Sequence, residues 1–224
     1  MSNYLVVSQH TRHAEFVQQL QATLQGNWHL ITRPSDFTYD KLLALKPKYI
    51  FLPHWSHIIP KQIVESFNCV VFHMTDLPFG RGGSPLQNLI VRKVKETKLT
   101  AFKCTKELDA GPIYAQLLMS LSGSAREIFQ RADELVAQLI FQIIQNDMEP
   151  TPQVGEVVTF KRRTPAQSNL VSLEQLDDIY DYIRMLDADG YPHAYIETEY
   201  FNFTFTQASF HGDEVRAIVS IKEK

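Results

Sequence analysis

The sequence predicts an α/β fold: a Rossmann-like, mostly parallel sheet with helices on both faces, followed by a small C-terminal α+β subdomain. Three observations carry this. Short apolar runs rich in β-branched and aromatic residues recur at 4–7, 28–31, 49–52 and 69–72, as buried strands should. Stretches of helical character lie between them, and strand–helix alternation of this kind implies a parallel sheet with crossover helices. After residue 150 the character changes to one helix followed by alternating β-rich segments.

In order, residues 4–7 are the first strand. Phe16, Leu20 and Leu24, spaced i, i+4, i+8, mark the buried stripe of a helix ending near Gly26. Residues 28–31 are the second strand. Residues 40–45 are helical, with Pro47 as the stop, and 49–52 are a third strand closed by Pro53. Pro60 opens a short helix leading into 69–72. Ser84-Pro85 reads as N-cap and N1 of another helix. Residues 99–104 and 113–120 read as strands. Ser124-Ala125-Arg126-Glu127 is a capping box for a long helix with Ile128, Leu135, Leu139 and Ile143 on one face.

That helix closes a first domain near Asn146. Pro150, Pro152 and Gly155 punctuate a linker over 149–155, which divides the chain into 1–150 and 151–224. In the second part, 157–160 is a strand. Residues 172–175 cap a helix carrying Leu176, Ile179, Ile183 and Leu186. Residues 194–196, 200–206 and 215–221 form a small sheet with a turn at Gly212-Asp213.

Composition narrows the function classes. The 224 residues carry a net charge of −3 and a pI near 6.2, so there is no basic footprint for nucleic acid. Cys69 and Cys104 sit in apolar strand contexts and are expected to be buried free thiols. The N-terminus lacks the basic n-region and long apolar run of a signal peptide. No stretch approaches membrane-spanning length, and the chain is expected to be cytoplasmic with no membrane partner. His54 and His57 form an H-x-x-H pair with no third ligand nearby in sequence, so no metal is expected. There is no G-x-G-x-x-G cradle for a dinucleotide.

The chemistry concentrates in residues 71–109, VFHMTDLPFGRGGSPLQNLIVRKVKETKLTAFKCTKELD. The apolar run 69–72 delivers His73 at its carboxyl end, where open α/β sheets place their ligand crevices. Pro78 and Gly80-Arg81-Gly82-Gly83 keep the following loop from being helical. The strand at 99–104 leads to the turn Leu108-Asp109-Ala110-Gly111-Pro112. One histidine and one acid therefore stand at the ends of two strands. Taken singly, each has an ordinary explanation, a polar strand cap and a turn residue.

Phe72-His73, then Asp76-Leu77-Pro78, Arg81-Gly82 and Pro85, then Leu108-Asp109-Ala110-Gly111, together resemble the folate-dependent formyltransferase family. That family joins methionyl-tRNA, glycinamide ribonucleotide and nucleotide-linked amino-sugar formyltransferases. Its hallmarks are an Asn-x-His pair, an L-P-x-x-R-G loop and an L-D-x-G turn. The resemblance implies the formyltransferase fold for 1–150 and 10-formyltetrahydrofolate as the formyl-donating cosubstrate, without a metal. It makes His73 and Asp109 the catalytic pair. His54, Trp55, Ser56, Leu77, Lys106 and Glu107 become the folate-binding residues. Phe79, Arg81, Gly82, Gly83, Lys161, Arg162 and Arg163 become the acceptor side.

Formyl transfer requires a neutral amine to attack the formyl carbon, a group to hold the developing oxyanion, and a group to carry the amine's proton to N10. His73 and Asp109 suit those tasks. Val71 stands where the family carries its catalytic Asn, and valine donates no hydrogen bond. His73 with a backbone N–H, or the side chains of Asn88, His54 or Gln87, are the available substitutes.

The stretches 73–89, 160–163 and 182–187 resemble most the bacterial UDP-4-amino-sugar N-formyltransferases of the pseudaminic-acid type. This implies a nucleotide-linked 4-amino-4,6-dideoxy sugar as acceptor, a role in surface glycan biosynthesis, no nucleic-acid partner, and a monomer or homodimer. Two alternatives stay open: an enzyme acting on an aminoacyl group carried by tRNA or a carrier protein, and a non-catalytic folate or sugar-nucleotide binder. Ordinary readings also stay open for the loop at 53–60 (surface, with Trp55 partly packed), for Arg81 (paired with an acid) and for residues 161–163 (a solvated basic face).

Overall fold

The computed structural model describes residues 1–10 and 13–224. The elements in its first half are β1 (Asn3–Val7), α1 (His13–Thr23), β2 (Asn27–Ile31), α2 (Tyr39–Leu45), β3 (Pro47–Leu52), α3 (Lys61–Ser66), β4 (Cys69–His73), β5 (Phe79–Gly82) and α4 (Pro85–Val91). Then follow β6 (Glu96–Lys103), β7 (Ile113–Ser120), α5 (Ala125–Gln145), β8 (Val158–Phe160), α6 (Leu176–Arg184), β9 (Ala194–Glu197), β10 (Phe201–His211) and β11 (Glu214–Glu223). The chain forms two compact units. One comprises Met1–Arg81, Lys98–Leu118 and Ala132–Thr159; the other comprises Gly82–Thr97, Met119–Arg131 and Phe160–Lys224.

The first unit is organised by a sheet of order β2-β1-β3-β4-β6-β7. β1 pairs in parallel with β2 and β3, and β3 with β4, so the mostly parallel sheet is as expected. β6 departs from this: it runs antiparallel to β4, with His73 opposite Thr100 and Val70 opposite Lys103. Residues 4–7 of β1 are buried on both faces, which is why the strand reads as an unbroken apolar run rather than an alternating one.

Leu5, Leu42, Ile50, Leu52, Ile63 and Cys69 pack into one cluster, against which Trp55, Val71 and Cys104 lie partly buried. Each fully buried Leu or Ile contributes about 1.5–3 kcal/mol relative to exposure. α2 ends where Lys46 turns left-handed (φ 49) and donates its N–H to Leu42; Pro47 then opens β3. α5 buries Ile128, Ala132, Val136, Leu139, Ile140 and Ile143 along one stripe.

The capping box forms as expected. The Ser124 N–H donates to Glu127 Oε2 at 2.8 Å, and the Ser124 hydroxyl accepts from the Glu127 N–H at 3.3 Å. The backbone bond from Ser124, then its hydroxyl, holds the Glu127 carboxyl below its usual range.

The second unit carries α4, α6 and the antiparallel sheet β11-β10-β9, turning at Gly212 (φ 67). Three local expectations are corrected. Ser84 precedes Pro85 but does not cap α4 with its side chain: it sits left-handed (φ 51), and its hydroxyl accepts from the Arg163 N–H at 3.0 Å. α6 starts from Gln175 rather than from a cap at Ser172, and it ends at Arg184, so Leu186 is buried beyond the helix. The glycine loop after Pro78 contains a strand, β5. Extended backbone there is held by distant partners, through Val158 N–H to Pro78 O at 3.3 Å in the first unit and Gly83 N–H to Phe160 O at 3.1 Å in the second. Local sequence does not encode such pairing. Among the described residues no helix is long and apolar enough to cross a membrane.

Candidate functional site

β4 ends on His73, whose ring is buried. Its Nε2 lies 2.8 Å from the Gly80 carbonyl. A carbonyl only accepts, so this nitrogen carries a proton and Nδ1 is left as the basic nitrogen of the neutral ring. Nδ1 points to Asp109, with 3.8 Å between it and Oδ2. Because β6 is antiparallel to β4, Asp109 does not arrive on a neighbouring parallel strand end. It comes from the loop between β6 and β7, whose own backbone is strained: Asp109 has φ 51, a conformation that costs a non-glycine residue free energy. Gly111 closes the same turn, and a Cβ there would overlap the Lys103 carbonyl.

Gln153 holds this loop. Its amide donates to the carbonyls of Asp109 and Gly111, both at 2.8 Å, while its oxygen accepts from Arg81 Nη2 at 2.6 Å and Nε at 3.1 Å. Arg81 is thus bound to a neutral group. Nothing in the sequence singled out Gln153, because its partners lie about forty and seventy positions away.

Val71 shares the His73 face of β4, two residues back, and packs against the apolar cluster. The three side chains offered as substitutes for the missing Asn are engaged elsewhere, which leaves His73 with a backbone N–H. Asn88 Nδ2 donates to the carbonyls of Gly83, Ser84 and Lys161, Gln87 Nε2 to Met185, and His54 Nε2 lies 2.6 Å from Asp133 Oδ1. A polar chain absent from the sequence reading runs beside His73. Thr75 and Thr100 are fully buried; Thr75 Oγ1 donates to Gly80 O at 3.3 Å and Thr100 Oγ1 to Thr75 O at 2.7 Å. Gln116 donates to Thr100 Oγ1 at 2.9 Å and Asp76 Oδ1 at 3.0 Å.

Among the residues expected to bind folate, Trp55 packs against the same apolar cluster as Cys104. Lys106 and Glu107 line a cleft of about 530 Å³ together with Glu65, Cys104 and Ala110, and Lys106 pairs with Glu65 at 2.6 Å. Burial, and then the neighbouring Asp109 charge, push the Cys104 thiol up to about 11. Trp55 stands edge-on to Phe37 and its indole N–H is buried without a hydrogen-bond partner. Leu77 is buried and Ser56 is exposed. His54 and His57 diverge: His57 Nε2 reaches Gln9 at 2.9 Å.

In the second unit, Gly83 allows Arg162 to pass closely; a Cβ at 83 would lie 2.6 Å from Arg162 Cβ. Lys161 and Arg162 are exposed. Arg163 is not, since its guanidinium lies over the Tyr182 ring and donates to the Gln167 carbonyl at 2.7 Å.

Comparison with known proteins converges on one group. The formyl transferase family profile matches residues 6–143. A second profile, described as the methionyl-tRNA formyltransferase C-terminal domain, matches residues 165–222. The methionyl-tRNA formyltransferase of Bacillus cytotoxicus is 30% identical over 166 residues, covering 70% of this chain and 52% of that protein; this chain spans about half the length of such curated relatives. A structure described as methionyl-tRNA formyltransferase from Clostridium thermocellum superposes with a TM-score of 0.96 at 41% identity, covering 100% of both chains. A 4-N formyltransferase from Francisella tularensis shares the fold at a TM-score of 0.70 and 16% identity, covering 88% of this chain and 93% of that one.

Proposed function

Because this chain belongs to the formyl transferase family, we propose that it is an N-formyltransferase, moving a formyl group from 10-formyltetrahydrofolate to the amine of a nucleotide-linked 4-amino-4,6-dideoxy sugar. The observation that carries the chemistry is the His73–Asp109 pairing at 3.8 Å, with Nε2 of the same ring fixed on Gly80. The amine nitrogen attacks the formyl carbon and the bond to N10 breaks. Nδ1 of neutral His73 takes the amine's proton and returns it to N10. The imidazolium formed in between stands beside the Asp109 carboxylate, and its charge steadies the oxyanion.

The donor fits residues present here. The orphaned Trp55 N–H offers a hydrogen bond to a pterin edge, and the cleft at Lys106 and Glu107 adjoins Asp109. Trp55, Ser56, Leu77, Lys106 and Glu107 would hold it; His54 is left out because its Nε2 is on Asp133. Formyl transfer of this kind calls for no metal. The residues proposed for the acceptor are Phe79 and Arg81 in the first unit, Arg81 being held by the Gln153 amide, and Gly82, Gly83, Lys161 and Arg162 in the second, where Arg163 is packed on Tyr182. We assign catalysis to 1–150 and the linker and small subdomain to 151–224, a division that the two profile matches support. Two free thiols fit a reducing cytoplasm.

A second reading, formylation of an aminoacyl-tRNA, is favoured by the name of the 41%-identical structure. The net charge of −3 weighs against it, since tRNA binding rests largely on basic surface. Turnover with 10-formyltetrahydrofolate separates these readings, given a panel of nucleotide-linked amino sugars and methionyl-tRNA as acceptors. Formylation of the sugar panel is expected. Formylation of methionyl-tRNA alone would replace the acceptor, and no turnover with any amine would leave a binding protein, as Val71 suggests.

A further inference from the structure

We propose that His13, His54 and Asp133 form a binding site for a divalent transition-metal ion, zinc being the best match to the donor set. The three groups come from far-apart points of the chain: the first residue of α1, the loop after β3, and the body of α5. They converge on one carboxylate oxygen. His54 Nε2 lies 2.6 Å from Asp133 Oδ1 and His13 Nε2 lies 3.2 Å from the same atom. The three donor atoms all fall within 4.8 Å of one another.

Tetrahedral zinc with ligand bonds of about 2.0–2.1 Å sets its donors roughly 3.3 Å apart. The His13–Asp133 separation already meets that, and the His54–Asp133 separation needs an opening of about 0.7 Å, within reach of a small carboxylate rotation. Two imidazole nitrogens and a carboxylate oxygen, with water completing the shell, suit zinc better than calcium or magnesium, which prefer all-oxygen shells.

The surroundings favour a ligand set over three ordinary surface polar groups. His13 is 1% exposed, with His54 and Asp133 at 13% and 15%. Ser8 Oγ lies 2.6 Å from His13 Nδ1, the outer-shell contact that fixes a ligating histidine's tautomer and turns Nε2 inward. The His13 and His54 rings stack at 5.8 Å, and His10 stands edge-on to both at 5.6 and 5.7 Å. His54 is held at φ 50, a conformation that the surroundings must enforce. In sequence, a third ligand is sought only near His54 and His57; His13 and Asp133 lie 41 and 79 positions from His54. The ion takes no part in formyl transfer, so the inference stands independently of that activity.

The test uses the full chain without any polyhistidine tag, stripped with a chelator and titrated with Zn²⁺ calorimetrically and with Co²⁺ by visible absorption. Wild type is expected to bind one equivalent, with the d–d bands of a low-coordinate Co²⁺ site, and to melt higher when loaded. Asp133→Asn and His54→Ala should abolish stoichiometric binding. Ser8→Ala should weaken it about 10–100-fold, which guards against a misfolded His13 variant. His57→Ala should match wild type. No stoichiometric binding by folded wild type, or equal binding by Asp133→Asn and His54→Ala, would overturn the site and leave a hydrogen-bonded cluster.

Discussion

His73 and Asp109 face each other through Nδ1 and Oδ2 at 3.8 Å, while Nε2 of the same ring is tied to the Gly80 carbonyl at 2.8 Å. The carbonyl fixes which nitrogen carries the proton of the neutral ring, and the carboxylate is placed to stabilise the ring when it charges. The gap is wider than a hydrogen bond. Neither residue belongs to the apolar cluster around Leu52 and Ile63.

His73→Ala and Asp109→Asn are each expected to reduce kcat at least about a hundredfold, the scale of losing a transition-state electrostatic partner, with little change in unfolding midpoint. Steady-state kinetics beside denaturant titration checks this. A variant retaining near-native kcat would remove its residue from the catalytic pair.

Gln153 offers a sharper dissection. Gln153→Ala removes two bonds to the Asp109 loop, which alone should cost about 1–3 kcal/mol of stability at about 0.5–1.5 kcal/mol per bond, and it also removes the anchor of Arg81; activity should fall with it. Gln153→Glu keeps an acceptor for Arg81 but cannot donate to the Asp109 and Gly111 carbonyls. Its kcat should therefore fall as far as that of the alanine variant, while the acceptor KM also changes because Arg81 now faces a carboxylate. If Gln153→Glu keeps full kcat, the amide does not position Asp109.

The basic run should divide by position. Lys161 and Arg162 are exposed, so if the acceptor is the proposed nucleotide sugar, replacing both by Ala should raise its KM about tenfold or more with little change in kcat, the signature of lost uniform binding. The difference should shrink in high salt. Arg163→Ala should instead lower stability, because its guanidinium is used over Tyr182 and on Gln167. An unchanged sugar-nucleotide KM in the double variant would return the run to a solvated face and leave the phosphate to Arg81.

The thiols give a pH prediction. Burial, then the charge of Cys104, pushes Cys69 up to about 12, and burial with Asp109 pushes Cys104 up to about 11, both from 9.0. Since the thiolate is the nucleophile, alkylation of the native protein should stay slow through pH 9 and accelerate only as pH approaches 11. In the unfolded chain the thiols ionise first, so their contribution to stability is intact below pH 9 and declines as pH rises through the folded values. Rapid alkylation of folded protein at pH 8 would contradict this.

Most elements and the outline of the candidate site are legible from residue order alone. Strands buried on both faces betray themselves as continuous apolar runs, the Ser124–Glu127 box is a local device, and His73 with the turn at Asp109 is legible because strand ends and glycine turns leave local marks. The remainder follows from long-range packing. The antiparallel direction of β6, the strand hidden in the glycine loop, the clamp by Gln153 and the convergence of His13 and His54 on Asp133 all depend on partners tens of residues away. Ser84 is the smallest case: its sequence context says helix cap, yet its hydroxyl accepts from Arg163 instead. A local pattern fixes what a residue can offer, and the packed chain decides which distant group receives it.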